Sequence, residues 1–230
     1  MFDTEVLLPD FWSILDAVPV TLAMAVTIFI LSTLLGGLFA FIDHKRIPVL
    51  RQLIVLYKIT FKGIPMVVVI FLAYYGLPLA LQGISSLVGI EINAHSMPNW
   101  VIIIVALTAC VAAFQAEVVK GALNSFDSGQ SDAAHALGYT NGQLFRRVLF
   151  PQIIVSAIPD LANSFMVIMK ALSLAFAIEV VDIFAQAQLT AALNFYYLEA
   201  FLIAVVFYMV IAYVVTKVAD KIEAALRVRT

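Results

Sequence analysis

Five long runs of apolar residues restrict this chain to very few folds. A helix needs about twenty predominantly apolar residues to cross the hydrocarbon core of a bilayer. The predicted spans cover residues 18–42, 53–81, 100–119, 153–174 and 195–216. Because backbone groups in a bilayer have no water to bond, each run must satisfy its own backbone, as a helix does. We therefore predict an all-α integral membrane protein with five transmembrane helices.

The composition agrees with this class and excludes others. Of the 230 residues, 63% are hydrophobic and 12% are charged, and the mean hydropathy is +1.05. Soluble domains are only about half apolar and about a quarter charged. The net charge of −2 gives no basic surface for nucleic acid, and the single cysteine, Cys110, excludes a disulfide framework. We expect one transmembrane domain over residues 1–230, with no metal site and no nucleic-acid partner.

A polar segment separates the third and fourth apolar runs and contains its own helix signals. Two pairs have the spacing of a capping box, in which a side chain accepts a backbone N–H three residues on. The pairs are Asp127 with Gln130 and Thr140 with Gln143. Gly138 stands where a helix C-terminus is expected, and Pro151 is expected to interrupt the helix that precedes it. These signals predict short helices over residues 129–137 and 141–149.

The first of these helices has two different faces. Ala133, Ala134 and Leu137 are predicted on one side, and Asp132 and His135 on the other. Small residues allow another backbone to approach closely. The pattern predicts a surface on which a second protein docks.

Basic residues predict the orientation of the chain. Lysine and arginine are enriched in cytoplasmic loops of membrane proteins. Here they fall in residues 44–62, in the polar segment and in the C-terminal tail, whereas the N-terminus and residues 82–99 contain none. With an odd number of spans, the N-terminus is expected outside, and the C-terminus and the polar segment are expected in the cytosol.

The polar segment resembles the "EAA" loop of ABC-importer permeases. That pattern is Glu-Ala-Ala, three residues, glycine, nine residues, then Ile-x-Leu-Pro. The segment has the same spacing, with Asp for Glu, Val for Ile and Phe for Leu. The resemblance implies that residues 124–151 couple this chain to a separate ATPase. The implied coupling residues are Ser131, Asp132, Ala133, Ala134, Leu137, Gly138 and Pro151.

Other segments resemble the polar-amino-acid branch of the same family. Residues 61–65 (Phe-Lys-Gly-Ile-Pro) are similar to its Phe-Arg-Gly-Thr-Pro segment, and residues 18–22 are similar to its opening before the first span. Further matching positions are Pro151-Gln152, Pro159, Asn163, Lys170 and Ser173-Leu174. Ile64 replaces threonine, and Glu179 stands where a small residue is usual, so the identity of the solute stays open. Residues 173–176 with Asp182-Ile183 resemble cystine-type members.

Polar and helix-breaking residues in or beside the spans are candidates for a solute path. An ionisable side chain at the bilayer centre costs about 2.5–3.5 kcal/mol on insertion scales and tends to face a cavity or a partner. Gly63 and Pro65 either line such a cavity or only kink a helix. Lys170 either forms a structural ion pair with Glu179 or Asp182, or these residues line the path of a zwitterionic solute. The candidate residues are Gly63, Pro65, Asn163, Lys170, Ser173, Glu179 and Asp182.

The resemblance implies a permease subunit that moves a polar amino acid across the bacterial cytoplasmic membrane by alternating access. It implies no catalysis and no bound cofactor in this chain, with ATP and Mg bound by separate ATPase subunits. The glycine-rich phosphate loop of nucleotidases is absent from the sequence. The other implied partners are a second permease chain (identical or related), an extracytoplasmic solute-binding protein and the lipid bilayer. The alternative is a secondary transporter or channel, in which paired half-repeats are expected.

Overall fold

The computed structural model of the chain describes residues 5–45, 47–89, 97–124 and 128–227. Within these ranges the backbone is almost entirely helical and contains no β-strand. The α-helices are α1 (Leu7–Leu15), α2 (Val18–His44), α3 (Pro48–Gly63), α4 (Met66–Val88), α5 (Asn99–Asn124), α6 (Ser128–Ala136), α7 (Asn141–Leu144), α8 (Phe150–Leu172), α9 (Ile183–Asn194) and α10 (Tyr197–Arg227). A π-helix (Phe145–Leu149) joins α7 to α8, and a 3-10 helix (Ser173–Ile178) follows α8. The predicted all-α class is confirmed.

Five helical segments of the described chain are long and apolar enough to cross a membrane, as predicted. They are Leu7–His44, Met66–Val88, Asn99–Leu123, Asn141–Ile178 and Tyr197–Arg227. The third lies close to its predicted bounds. The first is longer than predicted because α1 precedes α2 with only a short turn between them.

The second span differs from its predicted bounds, 53–81, because the helix is broken at Ile64 and Pro65. Ile64 has an extended backbone, with φ −92° and ψ 134°. A proline disfavours helical geometry in the residue before it and has no N–H to donate to the preceding turn. The chain therefore forms two helices, of which only α4 is apolar and long enough to span. The shorter helix, α3, is a separate element that the sequence analysis missed.

The helix predicted over residues 141–149 is present, but it does not end before Pro151. It continues into the fourth span through the π-helix, whose closing bond runs from the Phe150 N–H to the Phe145 carbonyl. Pro151 cannot donate to the carbonyl four residues earlier, and its ring would crowd that group. A π-helical turn shifts the hydrogen-bond register by one residue and so lets the helix continue past the proline.

The fifth span also extends beyond its predicted end. α10 runs through the predicted charged tail to Arg227 without a break. Two ion pairs lie on its last turns, Lys217 with Asp220 at 3.8 Å and Glu223 with Arg227 at 2.9 Å. The span and the tail are therefore one helix.

The core of the bundle is the contact between α2 and α5. Ser32, Gly36 and Ala40 are four residues apart and all are buried, so they form a stripe of small side chains on α2. A Cβ placed on Gly36 would lie 2.6 Å from the Cβ of Gln115 and 2.8 Å from the Ala116 nitrogen. Small residues at this spacing let two helix backbones approach closely within a membrane.

Helix α1 precedes the first predicted span and packs against the rest of the bundle. The Asn194 amide donates to both carboxylate oxygens of Asp10, at 3.1 and 3.3 Å. The hydroxyls of Ser13 and Thr190 lie 3.0 Å apart. These contacts join α1 to α9, a helix that the sequence analysis did not predict.

The two ends of the bundle are distinguished by the helices that meet there. At one end, called here the α6 end, the last turns of α2 and α5 meet the first turns of α8, and Ala122 packs against Ile153 and Ala157. At the other, the α1 end, the Asn99 amide donates to the Ile178 carbonyl at 2.7 Å. The predicted coupling residues lie at the first end, and Glu179 and Asp182 lie at the second.

Candidate functional site

The α6 helix ends in a tightly bonded turn at Gly138. The glycine has φ +82°, the left-handed conformation that a residue with a Cβ rarely adopts. Its N–H donates to the His135 carbonyl at 2.9 Å, and the Tyr139 N–H donates to the Ala134 carbonyl at 3.0 Å. This pair of bonds is a Schellman motif, so the predicted role of Gly138 as a helix terminator is confirmed.

The next helix begins with the predicted capping box. The Gln143 N–H donates to the Thr140 hydroxyl at 3.3 Å, and the Thr140 N–H donates to the Gln143 side-chain carbonyl at 2.9 Å. Asp127, of the other predicted pair, and the side chain of Ser131 lie outside the described part of the chain. The turn from α6 into α7 is therefore fixed by hydrogen bonds at both of its ends.

The faces of α6 differ from the prediction. Of the three residues predicted on the docking side, Ala134 is buried, with 6% of its surface exposed, whereas Leu137 is 79% exposed and Ala133 is also exposed; Asp132 is exposed as well. Leu137 therefore contributes little to the packing of this chain and is accessible to a partner. The segment thus presents an apolar side chain, a carboxylate and a small residue on one protruding turn.

The helix α6 is also tied to the start of the fourth span. The Gln152 amide donates to the Gln130 side-chain carbonyl at 3.2 Å. Together with the continuous helix from α7 through the π-helix into α8, this bond places α6 in contact with the start of a membrane-crossing element.

The structure does not bring the seven predicted solute-path residues together. Gly63 and Pro65 lie at the α3–α4 break and are exposed. Asn163 and Lys170 are exposed on α8, and the Ser173 hydroxyl donates to the Lys170 carbonyl at 2.7 Å. Lys170 has no ion pair within 4.0 Å among the described residues, so the predicted pair with Glu179 or Asp182 is not formed.

Asp182 is fully buried and holds the start of α9. One carboxylate oxygen accepts the Ala185 N–H at 2.9 Å, and the other accepts the Tyr208 hydroxyl at 3.2 Å. The Ile183 N–H beside it donates to the Thr21 hydroxyl at 3.1 Å. An aspartate at this position satisfies an N-terminal backbone donor that the helix itself leaves unpaired. The contacts of Asp182 are therefore structural.

Glu179 has a different environment, although it lies only three residues earlier. Its backbone is left-handed, with φ +62°, and its side chain is exposed. It borders a cavity of about 610 Å³ between α2, α5 and the turn before α9. The lining residues are Val20, Ala23, Met24, Thr27, Asn99, Trp100, Ile104, Glu179, Val180 and Val181. Of the predicted solute-path residues, Glu179 is the one that borders this cavity.

A cluster of charged residues at the α6 end was missed by the sequence analysis. Asp43 contacts Lys120 at 2.7 Å, Arg51 at 3.0 Å and Lys58 at 3.8 Å, and Lys58 also contacts Glu117 at 2.8 Å. The signal in the sequence was the presence of charges at the ends of apolar runs. Their pairing was not legible because the partners come from three different helices.

The sequence matches a protein family described as the binding-protein-dependent transport system inner membrane component. The match extends over residues 32–228, most of the chain. The chain belongs to this family. The predicted membership of the ABC-importer permeases is thereby confirmed, and the alternative of a secondary transporter or channel is excluded.

Several curated relatives of the permease are similar over nearly their whole length. A probable amino-acid permease protein of Bacillus subtilis, YxeN, is 35% identical, and the match covers 97% of this chain and 96% of the relative. PatM of Vibrio harveyi, a probable amino-acid ABC transporter permease protein, is 35% identical over 94% and 96% of the two chains. TcyL of B. subtilis, an L-cystine transport system permease protein, is 32% identical over 87% and 82%.

Solved structures share the permease fold. A crystal structure of an amino acid ABC transporter with histidines superimposes with a TM-score of 0.81, covers 98% of this chain and 99% of its own, and is 23% identical. An inward-facing structure of the MetNI methionine ABC transporter gives a TM-score of 0.69 at 20% identity, over 95% and 98%. The five-span architecture is that of type I importer permeases.

Proposed function

We propose that this permease subunit imports a polar amino acid across the bacterial cytoplasmic membrane by alternating access, driven by ATP hydrolysis on a separate subunit. The proposal is supported by the relatives, several of which are named as amino-acid permeases and one as an L-cystine permease. In this proposal the chain is a single domain that performs no chemistry and binds no cofactor, and ATP and Mg bind to the partner ATPase.

The observation that supports the coupling role of residues 124–151 is the structure of their described part, residues 128–151. The α6 helix protrudes with Leu137 exposed, and hydrogen bonds fix the turn at both Gly138 and Thr140. Beyond the turn the helix continues without interruption into the fourth span. A force applied by an ATPase to Asp132, Ala133 or Leu137 would therefore be transmitted to α8 through this turn and the continuous helix that follows it.

The remaining coupling residues have supporting roles in this proposal. Ala134 is the buried residue that holds α6 against the rest of the chain, and Ser131 belongs to the docking surface. Pro151 imposes the π-helix that joins α7 to the fourth span. The basic residues at the α6 end favour its placement in the cytosol, with the C-terminus also inside and the N-terminus outside.

A second permease chain, identical or related, completes the solute path in this proposal. Large apolar side chains of α3 (among them Val49, Leu56 and Ile59) are more than half exposed and require lipid or protein cover. An extracytoplasmic solute-binding protein delivers the amino acid to the α1 end. Gly63, Pro65, Asn163, Lys170, Ser173 and Glu179 stay candidate positions along the path, whereas Asp182 acts by holding α9.

The coupling role is tested by a substitution at Gly138 and a control substitution at a second exposed glycine of the same segment. Gly138→Val forces a side chain into a left-handed backbone at a cost of roughly 1–2 kcal/mol, although a Cβ there meets no other atom. Gly142→Ala is the control, because Gly142 is also exposed with open space around it but has no positive φ. Both variants are co-expressed with the ATPase and assayed for ATPase recovery on purification and for uptake of a panel of labelled amino acids.

We expect Gly138→Val to lose uptake and to recover less ATPase, while membrane insertion and the Gly142→Ala variant stay normal. Normal uptake and recovery in Gly138→Val would refute the coupling role. Failure of the intact complex to take up any labelled amino acid would refute the proposed class of solute.

A further inference from the structure

The cavity beside Glu179 has the size and position of a binding site for a small solute. Its volume of about 610 Å³ lies within the range of roughly 300–1,000 Å³ that is typical of small-molecule sites. It opens at the α1 end of the bundle, between the first turns of α2 and α5 and the turn that precedes α9. Its lining is mostly aliphatic, with a few polar groups that can fix the orientation of a ligand.

The carboxylate of Glu179 is available for a ligand. It makes no hydrogen bond or ion pair within the described ranges, and its side chain is exposed. Asp182, three residues later, has both oxygens engaged by protein donors. The two acidic residues of this turn therefore have different roles: Asp182 holds the turn, and Glu179 faces the cavity.

The backbone holds Glu179 in a fixed and unfavourable conformation. Its N–H donates to the Phe176 carbonyl at 3.0 Å, and the next N–H, of Val180, donates to the Ala175 carbonyl at 3.1 Å. Residues that keep a left-handed backbone despite a Cβ persist where surrounding contacts determine them, and such residues cluster at ligand sites. The backbone of Glu179 is thus held by hydrogen bonds of the turn, at the edge of the cavity.

The remaining polar groups provide no countercharge for an anion. Glu179 is the one ionisable residue among the ten described residues that line the cavity. The Thr27 hydroxyl donates to its own helix, to the Ala23 carbonyl, and the Asn99 amide donates to the Ile178 carbonyl. Trp100 offers an exposed indole, whose face attracts cations.

We infer that Glu179, with Trp100, makes this cavity selective for solutes that carry a positively charged side chain and unfavourable for anionic ones. The inference rests on the proposed import of amino acids and adds the class of side chain that is preferred. Every amino acid zwitterion carries an α-ammonium, so the discrimination comes from the second charge. A lysine side chain brings a cation toward the carboxylate, and a glutamate side chain brings a second anion.

The test is a binding assay on the permease–ATPase complex in nanodiscs, without solute-binding protein, so that selectivity belongs to the membrane subunit. Labelled lysine, glutamine and glutamate serve as probes because they differ in charge more than in length. In Glu179→Gln we expect lysine affinity to fall about tenfold, the loss typical of a hydrogen bond to a charged group. Glutamate affinity is expected to rise, and that of glutamine to change least.

Two further variants separate a local effect from a general one. Asp16→Asn removes the same charge at the same end of the bundle from a residue that does not line the cavity, so binding of the three probes should not change. Trp100→Leu should weaken lysine binding while glutamine binding is retained. Elution of each variant as an intact complex on gel filtration establishes that it is folded.

An equal loss of all three probes in Glu179→Gln would overturn the inference, since the residue would then contact only the common α-ammonium. An unchanged profile would overturn it as well. Both results leave the proposed function intact if the wild-type complex still imports amino acids. If the wild-type complex neither binds nor imports any amino acid, the proposed function fails, and the inference fails with it.

Discussion

Lys58 of α3 lies 2.8 Å from Glu117 of α5, and the same ammonium group lies 3.8 Å from Asp43 of α2. One cation thus joins three helices. Asp43 in turn accepts from Lys120 and Arg51, and only 5% of its side chain is exposed. This cluster fixes α3 to the two helices that form the core, so a helix too short and too polar to span the bilayer keeps a defined position.

Asp43→Asn should destabilise the permease because it leaves Lys58, whose side chain is 10% exposed, without one of its two carboxylate partners and Lys120 without its own. Removal of one partner from a fully buried ion pair costs about 3–5 kcal/mol. Because Arg51 and Lys120 are 52% and 40% exposed, solvent screening reduces the expected loss to about 1–2 kcal/mol. Asp220→Asn is the control: its pair with Lys217 is exposed, and such pairs are worth roughly 0–1 kcal/mol. The thermal midpoint of the detergent-purified protein is the measurement. Equal midpoints for the two variants would show that the cluster does not hold α3.

Gly36→Ala should separate α2 from α5. The added methyl group would lie within 2.9 Å of three atoms of Gln115 and Ala116, two of them backbone atoms. Overpacking of this kind costs about 1–3 kcal/mol. Gly37→Ala provides the control, since a Cβ at the neighbouring glycine meets no atom within 4 Å. Stability is compared by thermal unfolding in detergent, and a Gly36→Ala protein as stable as Gly37→Ala would contradict the close packing of these helices.

Asp182 should tolerate loss of its charge but not loss of its hydrogen bonds. Asparagine caps helices about as well as aspartate, so Asp182→Asn is expected to lose less than about 1 kcal/mol and to keep amino-acid uptake. Asp182→Ala leaves the Ala185 N–H and the Tyr208 hydroxyl without this acceptor and should lose about 2 kcal/mol. Thermal midpoints and initial uptake rates are measured for both. A stable Asp182→Asn protein without uptake would instead indicate that the carboxylate contacts solute or a proton.

Leu137→Ala should weaken ATPase association without affecting the fold of the permease. Leu137 is 79% exposed, so its truncation removes few intramolecular contacts. Leu193→Ala is the matched control, because this leucine is 86% exposed on α9, at the opposite end of the bundle. The amount of ATPase that co-purifies is quantified for each variant. An ATPase yield from Leu137→Ala equal to that from Leu193→Ala would exclude Leu137 from the docking surface.

Local chemistry made several features of the fold predictable. A glycine beyond the end of a helix and a threonine three residues before a glutamine act through their own backbone neighbours. The turn at Gly138 and the capping box at Thr140 therefore followed from a few adjacent letters. The number of spans could also be predicted from the sequence, because the thickness of a bilayer fixes how many apolar residues are needed to cross it.

The predicted helix boundaries were wrong at two prolines, because a proline can either end a helix or be accommodated within it. Pro65 ends one helix and starts another, whereas Pro151 is accommodated by a π-helix within one continuous helix. Both remove a hydrogen bond from the preceding turn. Which solution forms depends on the helices packed around the site, and this information is not contained in the neighbouring residues.

The sequence by itself determined the membrane class, the number of spans, and the capped segment at Gly138 and Thr140, since each depends on residues adjacent in the chain. Only the tertiary structure decided that the Asp182 carboxylate is hydrogen-bonded within the protein, whereas Glu179 borders a cavity. The partners that make this distinction, Thr21 and Tyr208 beside Asp182 and Trp100 beside the cavity, come from helices far away in sequence. Whether an acidic side chain of this turn is hydrogen-bonded to the protein depends on those neighbours. They are brought together only when the chain folds.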